Sequence, residues 1–435
     1  MNTNQSIGNG DFSDLICIAI GWFVNQKIWG DVMLGLLKGV RVIDFTTVVL
    51  GPYATQTLGD LGAEVIKVES LAGDGFRAVR PGHHGEMGAG FLNLNRNKRS
   101  IAVDLRRPEG LALIDRLVAT ADLVVHNMRA SAAERLGIDF ARLKGVNPTL
   151  AYCFTAGFGE GGRDSDEPAY DDTIQARSGL ARLNATSGGD PRFVSTIVAD
   201  KIGGLHLAIG ALAALAARDR MREAVCVEAP MFESMVSFLL VEQLAGRSFV
   251  PPLGPTGYDR LLSPYRKPFA TRDGFVAILP YTSAQWTRFL TLIDRPDLAQ
   301  DPRVSDPVQR SQNIDMLYAL IERAMPARST DEWLALLSEQ DIPCAPVNRV
   351  DDLLEDGHLC DVGMIRQVQH PSEGSLLSVR SPFRDGTDVP DQPAPRHGLD
   401  TRMLMREAGY ADAQIDALIA NGTVAASVEA HEDAA

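Results

Sequence analysis

With 435 residues, 45% of them hydrophobic and 23% charged, the chain can bury a large core, and its length points to two domains or one large domain with an insertion. The formal charge of −14 disfavours non-specific binding to nucleic acid or anionic membrane, but it leaves room for a local basic pocket. Five cysteines, at 17, 153, 226, 344 and 360, form no C-x-x-C pair, which argues against a zinc or disulfide framework and for a reducing cytoplasm.

The apolar run 15–24 has no basic stretch before it and no A-x-A site after it, so it is not read as a signal peptide. No run of about 18 apolar residues marks a membrane span. The first convincing folded segment begins near Leu36, so residues 1–35 are expected to lie outside the fold, with Met33 as the natural start.

From there strands and helices alternate. Residues 40–45 read as a short buried strand, 53–61 as a helix and 63–68 as a second strand. A strand at 100–105 precedes a helix opened by Pro108 and running to about 120. Strands at 122–126 and 150–155 flank a helix at 132–136. This rhythm predicts a parallel sheet with helices on both faces. A long Ala- and Leu-rich helix is predicted at 200–218 and another at 231–244. The Pro/Gly cluster 251–255 reads as a linker. Beyond it, 269–278 reads as a hairpin turning at Asp273-Gly274, followed by helices at 284–293, 314–324 and 330–340. A Pro- and Asp-rich second linker covers 380–397.

Three motifs bear on chemistry. Gly157-Phe158-Gly159-Glu160-Gly161-Gly162 matches G-x-G-x-x-G after a strand, but the residues that follow read as loop. A dinucleotide site needs a helix there, so a nicotinamide or flavin site is not expected. Asn95-Arg96-Asn97-Lys98-Arg99, with Arg106 and Arg107, is a dense basic cluster beside a strand and suits phosphate groups. The eight histidines show no ligand spacing, so no metal is predicted, and no G-x-S-x-G elbow is present. The residues alone thus point to an α/β enzyme with an anionic ligand.

Several ordered segments together resemble the family III CoA-transferases, the group that also holds the α-methylacyl-CoA racemases. They include Leu37 to Phe45, Gly51-Pro52-Tyr53, Leu58 to Glu69 with Gly73-Asp74 and Arg77, and Leu94 to Ser100. Asn127-Met128-Arg129, Tyr170-Asp171, Ala199-Asp200-Lys201, Pro230 to Glu233, Arg266 to Phe269 and Ile342 to Asn348 continue the match. The resemblance covers roughly 36–420. It implies an α/β fold in which a Rossmann-like large domain is built from both chain ends, with a smaller α/β domain inserted, in an interlocked homodimer. The expected organisation is a large-domain part at 36–230, a linker helix and linker at 231–255, a small domain at 256–348, a return at 349–420 and a disordered tail at 421–435. CoA or an acyl-CoA is then a substrate rather than a prosthetic group, with its phosphates near Lys98 and Arg99 and its adenine end near Arg77 and Asn97. Asn127 joins this set.

The implied chemistry transfers CoA from an acyl-CoA to a carboxylic acid through an aspartyl anhydride and an aspartyl-CoA thioester. The resemblance puts the aspartate in a D-G-P-P-like turn, where an ungapped match falls on Gly188. Asp190, two residues on, is the candidate nucleophile, with Asp171 and Asp172 behind it; a turn-capping role for Asp190 is the competing reading. A K-T-G-x-G-Q-like turn is replaced by Arg220 to Val225. A racemase would want a histidine where Gly161 stands, so transfer is favoured over racemisation. The oxalate-specific relatives' glutamine and basic residue are replaced by Val49 and Ser70, which suggests a larger or less polar acid. A degenerate acyl-CoA-binding protein without catalysis is the remaining alternative.

Overall fold

The computed structural model describes residues 35–185, 189–383 and 391–427. Most of the extension expected at 1–35, and Gly188, lie outside them. Two units separate. The first holds the described residues of Met1–Ile174, Ile197–Met235 and Asp356–Ala435; the second holds those of Gln175–Thr196 and Val236–Glu355.

In the first unit the β-branched runs form β1 (Arg41–Asp44), β2 (Glu64–Glu69), β3 (Lys98–Val103), β4 (Leu123–His126), β5 (Ala151–Phe154) and β6 (Val225–Glu228). They pair in parallel in the order β3-β2-β1-β4-β5-β6. The expected α/β architecture is therefore present. Helix α1 (Leu50–Asp60) joins β1 to β2 and α2 (Pro108–Val118) joins β3 to β4. Strand residues Ile43, Ile66, Ile101 and Val124 are fully buried beside Leu113 and Leu117 of α2. Burial of each such side chain stabilises by about 1.5–3 kcal/mol.

Helix α3 (Asp171–Arg177) is followed by α4 (Val198–Met221). By length and composition α4 could cross a membrane, yet its small residues are buried against this unit. A Cβ on Gly210 would sit 3.2 Å from both Cys153 of β5 and Val227 of β6. The tail expected from 421 onward is corrected for its described part. After α5 (Asp412–Ala420) the chain forms β12 (Val424–Ala425), which pairs antiparallel with β3 at the sheet edge. Val424 is buried there, which a short segment of small residues allows. A polar ribbon of β10 (Ile365–His370) and β11 (Gly374–Val379) precedes it.

In the second unit β7 (Phe269–Ala270), β8 (Phe275–Ile278) and β9 (Cys344–Pro346) form an antiparallel sheet. The Asp273-Gly274 hairpin appears as predicted. Thr271 Oγ1 accepts the Gly274 N–H, and Asp273 Oδ1 accepts the N–H of Thr330. Trp286, Phe289, Leu317, Ile321 and Trp333 form a separate core.

Candidate functional site

In a parallel sheet ligands gather outside the carboxyl ends of the strands, where the strand order reverses. Here that point lies between β1 and β4. The loop after β1 turns sharply at Val48, whose φ of 69° is costly for a β-branched residue. Three bonds hold it. Thr47 donates its N–H to Asn127 Oδ1 (2.9 Å), Asn127 Nδ2 returns a bond to Thr47 O (2.8 Å), and Val48 N–H meets Asp74 Oδ1 (3.1 Å). Asn127, expected to contact CoA, thus staples the loops after β1 and β4 together.

Beneath the loops lies a fully buried charge cluster. Lys67 Nζ reaches Asp74 (2.9 Å) and Thr46 O (2.8 Å). Asp44 accepts from Thr46 and Thr55 and pairs with Lys98 at 3.2 Å. Burial works against the Asp44 carboxylate, but Lys98, Lys67 and the two threonines outweigh it and hold its pKa below the usual range. Burial likewise pushes the Lys98 amine down to about 8, against the pull of Asp44. Lys98 also bonds Pro52 O, Thr55 Oγ1 and Asn95 Oδ1. A contact with a phosphate requires one of these bonds to be exchanged.

The other residues expected at CoA are also engaged. Arg77 grips Glu69 with two bonds of 2.7 and 2.8 Å, stacks on Phe91 and holds Pro395 O. Burial opposes the Glu69 carboxylate, but Arg77 overrides it and brings its pKa down to about 2. Asn97, at φ 61°, bonds Asp60, Asp391 and the backbone of Gln392. Arg99 pairs with Glu64 and Glu407. Lys98 and Arg99 open β3, so their backbones lie at the amino edge of the sheet, away from the loops just described.

Of the three candidate nucleophiles, Asp190 is exposed and belongs to the second unit, and Asp172 is exposed at the start of α3. Asp171 is buried, and its Oδ1 accepts the N–H groups of Ala199 (2.7 Å) and Asp200 (3.2 Å), so it caps α4. The residue the sequence reading passed over is Asp200 itself. It sits half-buried in the first turn of α4. A helix N-terminus favours a carboxylate, but burial and then the charge of Asp171 push the Asp200 pKa up to about 7. Among the described residues its carboxyl accepts no hydrogen bond, which leaves both oxygens available. A signal existed: an acid in the first turn of the longest apolar helix.

Two glycines let the first turns of α4 pack closely on α1. A Cβ on Gly203 would lie 2.7 Å from Leu50 Cδ1, and one on Gly204 2.7 Å from Leu50 O. Their absence lets α4 start against the first turn of α1, beside the Val48 loop. The Gly157–Gly162 segment also emerges from this edge, after β5. No helix follows it until Asp171, as the sequence reading anticipated, and its Gly159 and Glu160 N–H groups are held by Glu233 and Glu228. His126, at the end of β4, is buried against Tyr152 at 2.6 Å; burial brings its pKa down to about 4, so it is neutral and structural.

Similarity to known proteins identifies the family. The family model for CoA-transferase family III matches residues 37–401. The chain belongs to CoA-transferase family III. It is 30% identical to the succinyl-CoA:glutarate CoA-transferase of Mus musculus, covering 91% of each chain. It is 32% identical to the succinyl-CoA:mesaconate CoA-transferase of Haloarcula marismortui over 86% of this chain and 97% of that one. Among solved structures, a CAIB/BAIF family protein from Brucella suis superposes with a TM-score of 0.71 at 29% identity, covering 86% of this chain and 99% of that one. The family III reading and the α/β fold both stand on these matches.

Proposed function

We propose that this family III member transfers CoA from an acyl-CoA to a carboxylic acid, with Asp200 as the covalent carboxylate in place of Asp190. The observation that carries the assignment is the half-buried, unbonded Asp200 carboxyl at the head of α4, beside the strand-order reversal. Partial desolvation makes a carboxylate a better nucleophile once it is ionised. An Asp200 oxygen attacks the thioester carbonyl carbon, the C–S bond breaks, and an anhydride forms with release of CoA thiolate. The thiolate attacks the aspartyl carbonyl, expelling the donor acid and leaving an aspartyl-CoA thioester. The acceptor carboxylate attacks that thioester to give a second anhydride and thiolate. The thiolate then takes the acceptor acyl group and restores Asp200.

Glutarate and mesaconate, the acids named for two of the relatives, are dicarboxylates larger than oxalate, and an acceptor of that kind is in line with Val49 and Ser70. A homodimer is part of the same reading. Val241 (83% exposed), Val250 (98%) and Leu253 (75%) offer apolar surface for it, and a monomer mass by light scattering would remove it.

The test is trapping. Protein is incubated with succinyl-CoA and hydroxylamine, digested and mapped by mass spectrometry. A hydroxamate on Asp200 supports the assignment, whereas one on Asp190 moves the nucleophile and keeps the reaction. CoA binding without an adduct from any of several donors supports a non-catalytic binding protein instead.

A further inference from the structure

The second unit holds a feature that the transfer reaction leaves unused. Two adjoining cavities, of about 300 and 430 Å³, share Arg260, Leu279 and Tyr318. The first is also lined by Arg266, Lys267 and Phe269, the second by Arg310 and Trp286. Four cationic side chains thus face cavities whose described walls include no carboxylate, in a chain with 56 acidic and 42 basic residues. Two of the cations are occupied. Lys267 pairs with Glu322 at 2.7 Å, and Arg310 donates to Ser283 Oγ and Val304 O. The other two keep donors to spare. Arg260 is engaged by Tyr258 and Tyr318, yet its Nε is buried with no hydrogen-bond partner, and the Arg266 side chain makes no hydrogen bond or ion pair among the described residues. A buried donor left unmet calls for an acceptor. Phe269, Leu279, Tyr318 and Trp286 supply apolar wall around these charges.

We infer that this cavity pair binds a small organic acid, whose carboxylate is held by Arg260 and Arg266 and whose apolar or aromatic body lies along Tyr318 and Leu279. The volumes lie at the lower end of those of small-molecule sites, and an arginine pair is suited to a planar carboxylate. The aromatic walls favour an acid with an apolar body over inorganic phosphate. All the residues belong to one unit, so the site does not depend on Asp200.

Isothermal titration of the full-length protein with benzoate, then with inorganic phosphate, tests this. Saturable benzoate binding is expected. Arg266→Ala should weaken it about tenfold or more, since a charge-assisted bond is lost. Arg266 is exposed and unbonded, so the variant should fold normally, with an unchanged melting temperature. Arg260→Gln should weaken binding as well. Asp200→Asn should bind benzoate as the unaltered chain does. Trp286 emission should change on binding, since it lines the second cavity. No saturable binding, equal binding by Arg266→Ala, phosphate competing as well as benzoate, or loss of binding in Asp200→Asn would each overturn the inference.

Discussion

Asp200 and Lys98 are both ionisable groups displaced by burial, but they serve different ends. Lys98 is fully enclosed and its partner Asp44 is equally so. Replacing Lys98 by Met keeps most of the volume but strands the Asp44 charge. Breaking one side of a buried pair costs roughly 3–5 kcal/mol. Urea unfolding of Lys98→Met at pH 7 should therefore show a large drop, and CoA binding should be lost only to the extent that the fold is lost. Asp200 behaves the other way. Its folded pKa, about 7, lies above the ordinary carboxylate value, so between about pH 4 and 7 the unfolded chain releases a proton that the folded chain keeps. The folded state thus loses stability as pH rises through that window. Asp200→Asn removes the effect, so the variant should become progressively more stable than the unaltered protein from pH 4 to 7, with a constant gap above. The same ionisation controls the chemistry. Transfer rate should fall about tenfold per unit below pH 7, and Asp200→Asn should lose on the order of 10³-fold or more in kcat. A flat stability difference and a flat rate profile would show that Asp200 is neither buried enough nor reactive.

At the level of elements, the contact between α1 and α4 decides where Asp200 sits. Leu50 O lies only 2.7 Å from where a Cβ on Gly204 would fall, and a backbone oxygen cannot swing aside as a side chain can. Gly204→Ala should push the head of α4 away from α1, costing about 1–3 kcal/mol as overpacking. It should also lower kcat more than it raises the KM for acyl-CoA, because it displaces the reacting carboxyl. An unchanged kcat would mean that α4 position is not critical. This contact was half legible. The β-branched runs, the Pro108 helix start and the D-G hairpin could be read because local chemistry determines them. The sequence pattern places the start of α4 to within two residues, yet it marks Asp200 as a helix residue rather than as the site. Its special environment comes from Asp171, 29 residues earlier, and no local pattern carries that. β6 follows the charged stretch 220–224 and was missed, since it becomes a strand only by pairing with β5. The β10–β11 ribbon was missed because residues such as Gln367 and Gln369 give no strong apolar alternation. The basic cluster at 95–99 was conspicuous, but only the fold reveals that Asp60, Asp44, Glu64 and Glu407 absorb its charge.

Across the whole chain, those acids connect sequence ends that composition alone would treat as unrelated. The last described residues close the sheet. β12 covers the open edge of β3, Thr401 Oγ1 donates to Ala425 O at 2.7 Å, and Asp104 N–H is held by Thr423 O at 2.9 Å. Arg77 and Asn97 bind the returning segment through Pro395 and Gln392 from the opposite direction. The C-terminal part of the chain therefore completes the large unit rather than trailing from it, and deletion of residues 422–435 should expose β3 as an unpaired edge. Several backbone bonds and the buried Val424 are lost together. The expected result is a fall in stability of a few kcal/mol, counting roughly 1 kcal/mol per bond and about 1.5 kcal/mol or more for the side chain. Since an exposed edge recruits other strands, the truncated protein should also aggregate on mild heating. Deletion of 428–435 alone leaves every one of these contacts in place and should do neither. Melting curves and light scattering on the two truncations separate the outcomes: equal behaviour of both would mean that β12 is dispensable and that the edge of β3 is protected by something else.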